Sequence, residues 1–230
     1  MRRAPASPGN CRRSCSGVRC VGVVTIFSDY ICPYCYVVKG PLERAADELG
    51  LAVVWRHFPL YPELPDEGMP LEEHLGSYAD VLWTSLNEIT ARWGGPSMHR
   101  THQISNTRWA QEASEYAKVV GQFAAFHQAV FKAYYEDGMN IGTREAVLTI
   151  AEWVGLDWRE LARHLAAGTF RPNVRADWAE ARRLNIYTIP TMLVGTRRLV
   201  GALPYERLLV ALAEAVDAEG RVCGSDECRV

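Results

Sequence analysis

The chain has 230 residues, of which 48% are hydrophobic and 23% are charged, and its formal net charge is −2. This composition is typical of a globular protein and excludes a fibrous or largely disordered chain. The near balance of 25 basic and 27 acidic residues argues against nucleic acid as a partner. No apolar run approaches the roughly 18 residues of a membrane span.

Residues 1–20 differ from the rest of the chain, because they carry five arginines and no acidic residue. The segment also contains Cys11, Cys15 and Cys20. It lacks the apolar stretch of a secretory signal, so we interpret it as a disordered tail or as sequence upstream of the true start. Without an export signal, we expect a cytoplasmic, reducing location, where a structural disulfide framework is uncommon.

The next 40 residues predict a strand–helix–strand unit. β-Branched residues favour a buried strand at 21–28, and an apolar face ended by Gly50 predicts a helix that starts near Cys32. Residues 51–58 are predicted to form a second strand. A helix that connects two strands in this way usually joins a parallel pair.

A block of helices is predicted after this unit. Residues 59–70 contain four prolines and are interpreted as a loop. From Leu71 to Trp93 the apolar residues recur every three or four positions, which predicts one long helix. Further helices follow, with Thr143 and Asp157 as N-caps of two of them. We therefore predict an all-helical insertion at residues 64–171.

The C-terminal part returns to mixed structure. We predict a helix at 173–185, a hairpin of two strands at 191–194 and 197–200, and a last helix with Pro204 at its first position. Residues 21–63 and 172–219 then form one α/β domain that is interrupted by the insertion. Residues 220–230 are predicted to be a tail that contains Cys223 and Cys228.

The segment Cys32-Pro33-Tyr34-Cys35 lies where the first strand gives way to the first helix. Unpaired N–H groups and the helix dipole at a helix N-terminus stabilise a thiolate. We therefore predict that Cys32, at the exposed end, attacks a disulfide, and that the more buried Cys35 resolves the mixed disulfide. Half of a zinc site is the alternative, but a second Cys-x-x-Cys is absent from the sequence.

A second motif, Thr188-Ile189-Pro190-Thr191, precedes a predicted strand. We expect the peptide bond before Pro190 to be cis and to lie beside the cysteine pair, which leaves the backbone of Ile189 free to pair with a substrate. A trans turn is the alternative, because only about 5–6% of X–Pro bonds in folded proteins are cis.

Several other polar residues are candidates with less specific patterns. His99 and His102 could share one side of a helix and bind metal, but they lack nearby ligands, so a surface pair is the preferred interpretation. A zinc site made by the N-terminal and C-terminal cysteines is also disfavoured, and no metal is predicted. Asp29, Arg56 and His57 lie near the predicted ends of strands and could contact the cysteine site.

These motifs together resemble the DsbA family of thioredoxin-fold proteins, specifically its FrnE-like branch. The resemblance rests on Asp29-Tyr-Ile-Cys-Pro-Tyr-Cys-Tyr, on the helical insertion and on Ile189-Pro-Thr-Met-Leu-Val. Residues 106–111, 126–135 and 141–142 are similar to the same branch. The resemblance covers about residues 21–230 and implies an α/β, thioredoxin-like fold with an inserted helical domain.

The resemblance also implies an activity, which is thiol–disulfide exchange or isomerisation. Cys32 would be the nucleophile, Cys35 its partner and Pro190 the cis proline, with substrate contacts at Pro33, Tyr34, Ile189 and Pro190. Cys223 and Cys228 resemble an extra redox pair of the branch. The Pro-Tyr dipeptide is that of glutaredoxins, so we expect a reduction potential of about −200 to −230 mV.

The implied substrate is a protein or small molecule that carries a thiol or a disulfide. No metal, flavin or nicotinamide is implied, and glutathione or a dithiol protein would recycle the pair. The branch of kappa-class glutathione transferases and 2-hydroxychromene-2-carboxylate isomerases is an alternative, but it has Ser at the position of Cys32. A metal-binding or chaperone-like module that uses an aromatic groove is a second alternative.

Overall fold

The computed structural model describes residues 22–216, which form a four-stranded sheet, a two-stranded sheet and nine helices. The strands are β1 (Val23–Ser28), β2 (Ala52–His57), β3 (Met69–Pro70), β4 (Gln103–Ile104), β5 (Thr191–Val194) and β6 (Arg197–Val200). The helices are α1 (Pro33–Glu48), α2 (Leu71–Leu75), α3 (Tyr78–Arg92), α4 (Arg108–Val119), α5 (Phe123–Tyr135), α6 (Arg144–Trp153), α7 (Trp158–Ala167), α8 (Arg171–Arg183) and α9 (Tyr205–Ala213).

The main sheet has the order β2-β1-β5-β6. The β1–β2 pair is parallel, as predicted, and the β1–β5 and β5–β6 pairs are antiparallel. Ser28 at the end of β1 lies opposite His57 at the end of β2, while Phe27 lies opposite Thr191 at the start of β5. This register brings the segment after β1 and the segment before β5 to the same edge of the sheet.

Helix α1 packs between two hydrophobic cores. One side buries Val38 and Leu42 against the sheet and against Leu208 and Leu212 of α9. The other side buries Tyr36 in the larger core, which is made mostly by helices of the insertion. Because α1 belongs to both cores, the start of α1 is held by the sheet and by the helical block together.

The structure confirms most of the predicted elements, and the fold is α/β with an inserted helical domain. The hairpin strands have the predicted bounds. Thr143 Oγ1 accepts a hydrogen bond from Ala146 N at 3.2 Å, and Asp157 Oδ1 accepts one from Glu160 N at 2.9 Å, so both predicted N-caps are present. Pro204 is the N-cap of α9, one position before the place predicted for it.

Two predictions about the insertion are wrong. The long helix over residues 71–93 is broken into α2 and α3 at Gly76, whose φ of 53° is not helical. The insertion is also not entirely helical, because β3 and β4 form a short antiparallel pair. Gly68 permits this pair, since a Cβ atom there would lie 2.2 Å from the carbonyl oxygen of Ile104.

The described range covers only part of the predicted organisation. The N-terminal tail with Cys11, Cys15 and Cys20 and the C-terminal tail with Cys223 and Cys228 lie outside it. Within residues 22–216, none of the helices combines the length and the apolar character needed to cross a membrane.

Substitution of Phe131 in α5 tests the packing between the helical insertion and α1. Its side chain is fully buried, and its ring centroid lies 5.1 Å from that of Tyr30 and 5.6 Å from that of Tyr36. We expect Phe131→Ala to lower the free energy of unfolding by about 3–5 kcal/mol in urea denaturation. Val119→Ala, at a side chain 73% exposed, should change it by less than about 0.5 kcal/mol. Equal effects of the two substitutions would contradict the packing described here.

Candidate active site

The cysteine pair lies at the N-terminus of α1. Cys32 is the N-cap, with extended backbone angles, and its carbonyl oxygen accepts hydrogen bonds from the N–H groups of Cys35 and Tyr36 at 3.0 and 3.2 Å. Pro33 occupies the first turn, where its missing N–H has no intrahelical partner. Cys35 therefore follows Cys32 by one helical turn, which is the arrangement that lets the two sulfur atoms form a reversible disulfide.

The predicted exposure of Cys32 is wrong. Its side chain is only 4% exposed, and that of Cys35 is completely buried. The Cys32 Sγ donates a hydrogen bond to the carbonyl oxygen of Ile189 at 3.7 Å, and the Ile189–Pro190 peptide bond is cis, as predicted. The loop before β5 and the aromatic core of the insertion together cover the sulfur that the sequence placed in solvent.

Two tyrosines interact electrostatically with Cys32. Burial is the larger cause of the raised pKa of Tyr61 and of Tyr135, and the charge of Cys32 adds to both increases. The ring of Tyr135 stacks on that of Tyr36 with 4.9 Å between centroids. The aromatic core therefore packs directly on the first turn of α1.

The environment of Cys35 favours its protonated form. Burial raises the pKa of the Cys35 thiol well above its ordinary value, and the neighbouring Cys32 sulfur raises it further. The Ser28 hydroxyl makes a smaller contribution in the opposite direction. Cys35 must therefore lose its proton inside the protein before it can act as a nucleophile.

The four predicted substrate-contact residues are brought together at the sheet edge but differ in exposure. Tyr34 is 39% exposed and Pro33 is half-buried, whereas Ile189 and Pro190 are buried. Tyr187, two residues before Ile189, is 74% exposed and was not singled out from the sequence. Exposed tyrosines thus occur on both segments that meet at the contact between Cys32 and Ile189.

Asp29 anchors the turn that leads into the cysteine pair. Its carboxylate accepts hydrogen bonds from Leu60 N at 2.7 Å and from Gln111 Nε2 at 3.2 Å, and its carbonyl oxygen accepts one from Cys32 N at 3.1 Å. Burial raises the pKa of this carboxyl group. Asp29 does not cap α1, and it instead ties the turn to the loop after β2 and to α4.

Behind the turn lies an ionic network that the sequence analysis did not find. His57 Nε2 lies 2.9 Å from Glu115 Oε1, and the His57 backbone N–H donates to Asp177 Oδ2 at 3.0 Å. Arg56 donates to Asp177 Oδ1 at 2.6 Å. Burial opposes the charge of Glu115, but His57 and Lys118 outweigh it and lower the pKa of this carboxyl group to about 2.

The side-chain ligand atoms of His57, Glu115 and Asp177 all lie within 4.8 Å of one another, a spacing that a metal ion could use. The carboxylates already have partners, since Arg56 and the His57 N–H bind Asp177, and His57 and Lys118 bind Glu115. We therefore treat the group as a hydrogen-bonded ionic network. His99 and His102 are exposed and lie in a loop, so the proposed helical arrangement for them is wrong.

Alkylation of the reduced protein tests the difference between the two thiols. We expect iodoacetamide to modify Cys32 at least about ten times faster than Cys35 at pH 7, because the Cys35 thiol is held in its protonated form. Mass spectrometry of the peptides measures both rates, and the same reaction in guanidinium chloride is the control, where the rates should converge. Equal rates in the native protein would contradict this description of the site.

Comparison with known proteins places this geometry in a family. A DSBA-like thioredoxin domain matches residues 23–213. YwbO of Bacillus subtilis (strain 168), an uncharacterized protein, is 26% identical over 182 residues, which cover 78% of this chain and 90% of YwbO. A probable DsbA oxidoreductase from Streptomyces coelicolor has a TM-score of 0.77 and 26% identity, with 91% of this chain and 99% of that chain covered.

A structure of 2-hydroxychromene-2-carboxylate isomerase also resembles the chain, with a TM-score of 0.67 and 18% identity over 84% of this chain and 93% of that chain. This likeness concerns the fold alone. The domain match extends from the start of β1 to the end of α9 and includes the cysteine pair, the helical insertion and the cis proline. The chain belongs to the DSBA-like thioredoxin domain family.

Proposed function

We propose that the protein is a thiol–disulfide oxidoreductase, with Cys32 as the attacking thiol and Cys35 as the resolving thiol. The observation that carries this proposal is the position of the Cys32 sulfur. It lies at the N-terminus of α1 and 3.7 Å from the carbonyl oxygen of Ile189, with Cys35 one turn behind it. A helix N-terminus stabilises the thiolate, and the exposed residues Tyr187 and Thr188, which precede the buried Ile189, could bind an extended substrate.

The proposed reaction has two exchanges. The Cys32 thiolate attacks one sulfur of a substrate disulfide, so a Cys32–substrate bond forms and the first substrate thiolate leaves. Cys35 then attacks Cys32 Sγ, so the Cys32–Cys35 bond forms and the second substrate thiolate leaves. The substrate gains two electrons, the cysteine pair loses two, and the same steps in reverse oxidise a dithiol.

The substrate that we propose is a thiol- or disulfide-containing protein or small molecule. Pro33, Tyr34, Ile189 and Pro190 would contact it, and the exposed ring of Tyr187 extends the same face. We further propose that the chain lies within the FrnE-like branch and works in the cytoplasm. There glutathione or a dithiol protein would return the pair to its starting state.

The fold alone does not separate this proposal from an isomerase, because a 2-hydroxychromene-2-carboxylate isomerase has a similar fold. The cysteine pair makes the difference. An isomerase of that branch uses Ser at the attacking position, whereas this chain has two thiols one turn apart. For this reason the test of function acts on the thiols themselves.

Substitutions in the pair test the proposed activity. With a disulfide-bonded peptide as substrate and glutathione as reductant, we expect Cys32→Ser to reduce the rate to the uncatalysed background. Cys35→Ala should accumulate a covalent Cys32–substrate adduct, because the resolving thiol is missing. Cys11→Ser, a matched change outside the pair, should retain the parent rate. Full activity of Cys32→Ser would contradict disulfide exchange and favour the isomerase alternative.

The C-terminal cysteines support a second, separable prediction. We propose that Cys223 and Cys228 form an accessory redox pair, since four residues between two cysteines allow a small disulfide loop. Changing both to Ser should alter the rate of dithiol oxidation or of disulfide reduction. Unchanged rates in both directions, with no Cys223–Cys228 disulfide detected by mass spectrometry of the oxidised protein, would contradict this role.

A further inference from the structure

The proposed exchange leaves one proton unaccounted for. When Cys35 attacks the mixed disulfide on Cys32, its thiol proton has to leave, yet the Cys35 side chain is completely buried. A thiolate is the nucleophile in this step, and the interior of a protein disfavours an isolated charge. A group inside the molecule must therefore accept the proton. This inference rests on the proposed function and concerns how that same site works.

A small cavity lies beside the end of β1 and is lined by both polar and aromatic side chains. Its volume is about 10 Å³, the space of one water molecule. The lining residues are Ser28, Asp29, Tyr30, Trp55, Arg56, His57 and His127. Two buried atoms of this lining, Ser28 Oγ and His127 Nε2, have no well-formed hydrogen-bond partner among the described residues. A buried water that binds such atoms is the usual way in which they are satisfied.

Ser28 connects this cavity to the reacting sulfur. It lines the cavity, and its hydroxyl lowers the pKa of the Cys35 thiol, although burial has the larger, opposite effect. Ser28 also faces His57 across the parallel β1–β2 pair. Ser28 therefore influences the resolving cysteine and is also paired, through the strands, with one member of the ionic network.

The hydrogen bond between His57 and Glu115 leaves one ring nitrogen of His57 available to accept a proton. The Glu115 carboxylate lies 2.9 Å from His57 Nε2, and the Lys118 ammonium group, 2.5 Å from the same carboxylate oxygen, favours its ionised form. In a neutral ring, Nε2 therefore carries the hydrogen that this carboxylate accepts, and Nδ1 is left as a proton acceptor. A proton taken at Nδ1 would create an imidazolium ion whose charge is balanced by Glu115.

His127 has a different role in the same cavity. Burial lowers the pKa of His127 well below its ordinary value, so this ring stays neutral. Its Nδ1 lies 3.0 Å from the Tyr30 hydroxyl. With Nδ1 already engaged, Nε2 is free to hold a water in place, and this ring is a poor acceptor for the proton.

We propose that His57, paired with Glu115, accepts the proton of Cys35 through the Ser28 hydroxyl and one water in this cavity. As the Cys35–Cys32 bond forms and the Cys32–substrate bond breaks, the Cys35 proton passes to Ser28 Oγ. The Ser28 proton passes to the water, and a water proton passes to His57. The substrate sulfur leaves as a thiolate. His57 and Glu115 do not touch the substrate, and they act through Ser28.

The pH dependence of this step would reflect the charged groups packed around His57. Each neighbouring carboxylate of the network is paired with a cation, Glu115 with Lys118 and Asp177 with Arg56. The titratable and charged groups that face this region come from five elements: Asp29 and Tyr30 after β1, Arg56 on β2, Glu115 and Lys118 on α4, His127 on α5 and Asp177 on α8.

A two-step chromogenic reaction tests this proton relay, by which we mean Ser28, the water and the His57–Glu115 pair. The full chain, with the five cysteines outside the pair changed to Ser, is reduced and mixed with 5,5′-dithiobis(2-nitrobenzoate). Attack by Cys32 releases the first thionitrobenzoate, and attack by Cys35 on the mixed disulfide releases the second, independently of reagent concentration. Stopped-flow absorbance resolves the two phases over pH 5 to about pH 9, a range that includes the ordinary His pKa.

We expect His57→Gln, Glu115→Gln and Ser28→Ala each to slow the second phase at least about tenfold at pH 7, a modest effect for general-base catalysis. The first phase should stay within about twofold of the parent, because Cys32 does not use the relay. In the protein without a relay substitution, the rate of the second thionitrobenzoate release should reach a plateau as the pH rises. In His57→Gln it should keep rising with hydroxide concentration, which a merely structural role would not produce.

His164→Gln is the matched control, since His164 lies 3.8 Å from Glu160 on α7 and does not line the cavity. Both phases should be unchanged in this variant. Second-phase rates and pH profiles equal to the control in all three relay variants would overturn the proposal. So would an equal slowing of both phases, which indicates a general structural effect. Absence of the second release in the parent chain would instead contradict the proposed function itself.

Discussion

The site depends on the register of the β2-β1-β5 strands. Because β1 runs parallel to β2 and antiparallel to β5, the end of β1 and the start of β5 lie at one edge of the sheet. Cys32 follows β1 and Ile189 precedes β5, so this register brings the sulfur of one to the carbonyl oxygen of the other. A shift of one residue would reverse the faces of the paired side chains and separate the two segments.

The helical insertion turns this strand edge into a buried site. Its aromatic residues pack on Tyr36 and cover Cys32, while α4 supplies Gln111 to Asp29 and Glu115 to His57. The environment that results opposes charge on Cys35. Burial therefore separates the tasks of the two thiols, and it also creates the need for an internal proton acceptor. The sheet positions the sulfur atoms, and the insertion sets their protonation.

Local signals in the sequence predicted much of the fold. The caps at Thr143 and Asp157 and the hairpin around Gly195 depend on residues that lie within nine positions of one another, and all are present. The break at Gly76 was missed because the apolar spacing continues across it. The β3–β4 pair was missed because two-residue strands have no detectable period.

In the candidate site, too, the features marked by local motifs were predicted and those formed by residues distant in sequence were not. The positions of Cys32, Cys35 and Pro190 followed from motifs, but the burial of Cys32 depends on helices that are distant in sequence. The pairing of His57 with Glu115 joins residues 58 positions apart, and no local pattern marks it.

Equilibration of the full chain in glutathione buffers of varied redox ratio, followed by acid quenching, alkylation and mass spectrometry of the peptides, tests whether Cys32 and Cys35 act as one redox pair. We expect the Cys32–Cys35 disulfide to replace the dithiol in a single two-electron transition as the glutathione pool becomes more oxidised. A pair that remains a dithiol at every ratio, or a Cys32 found joined only to glutathione, would contradict it.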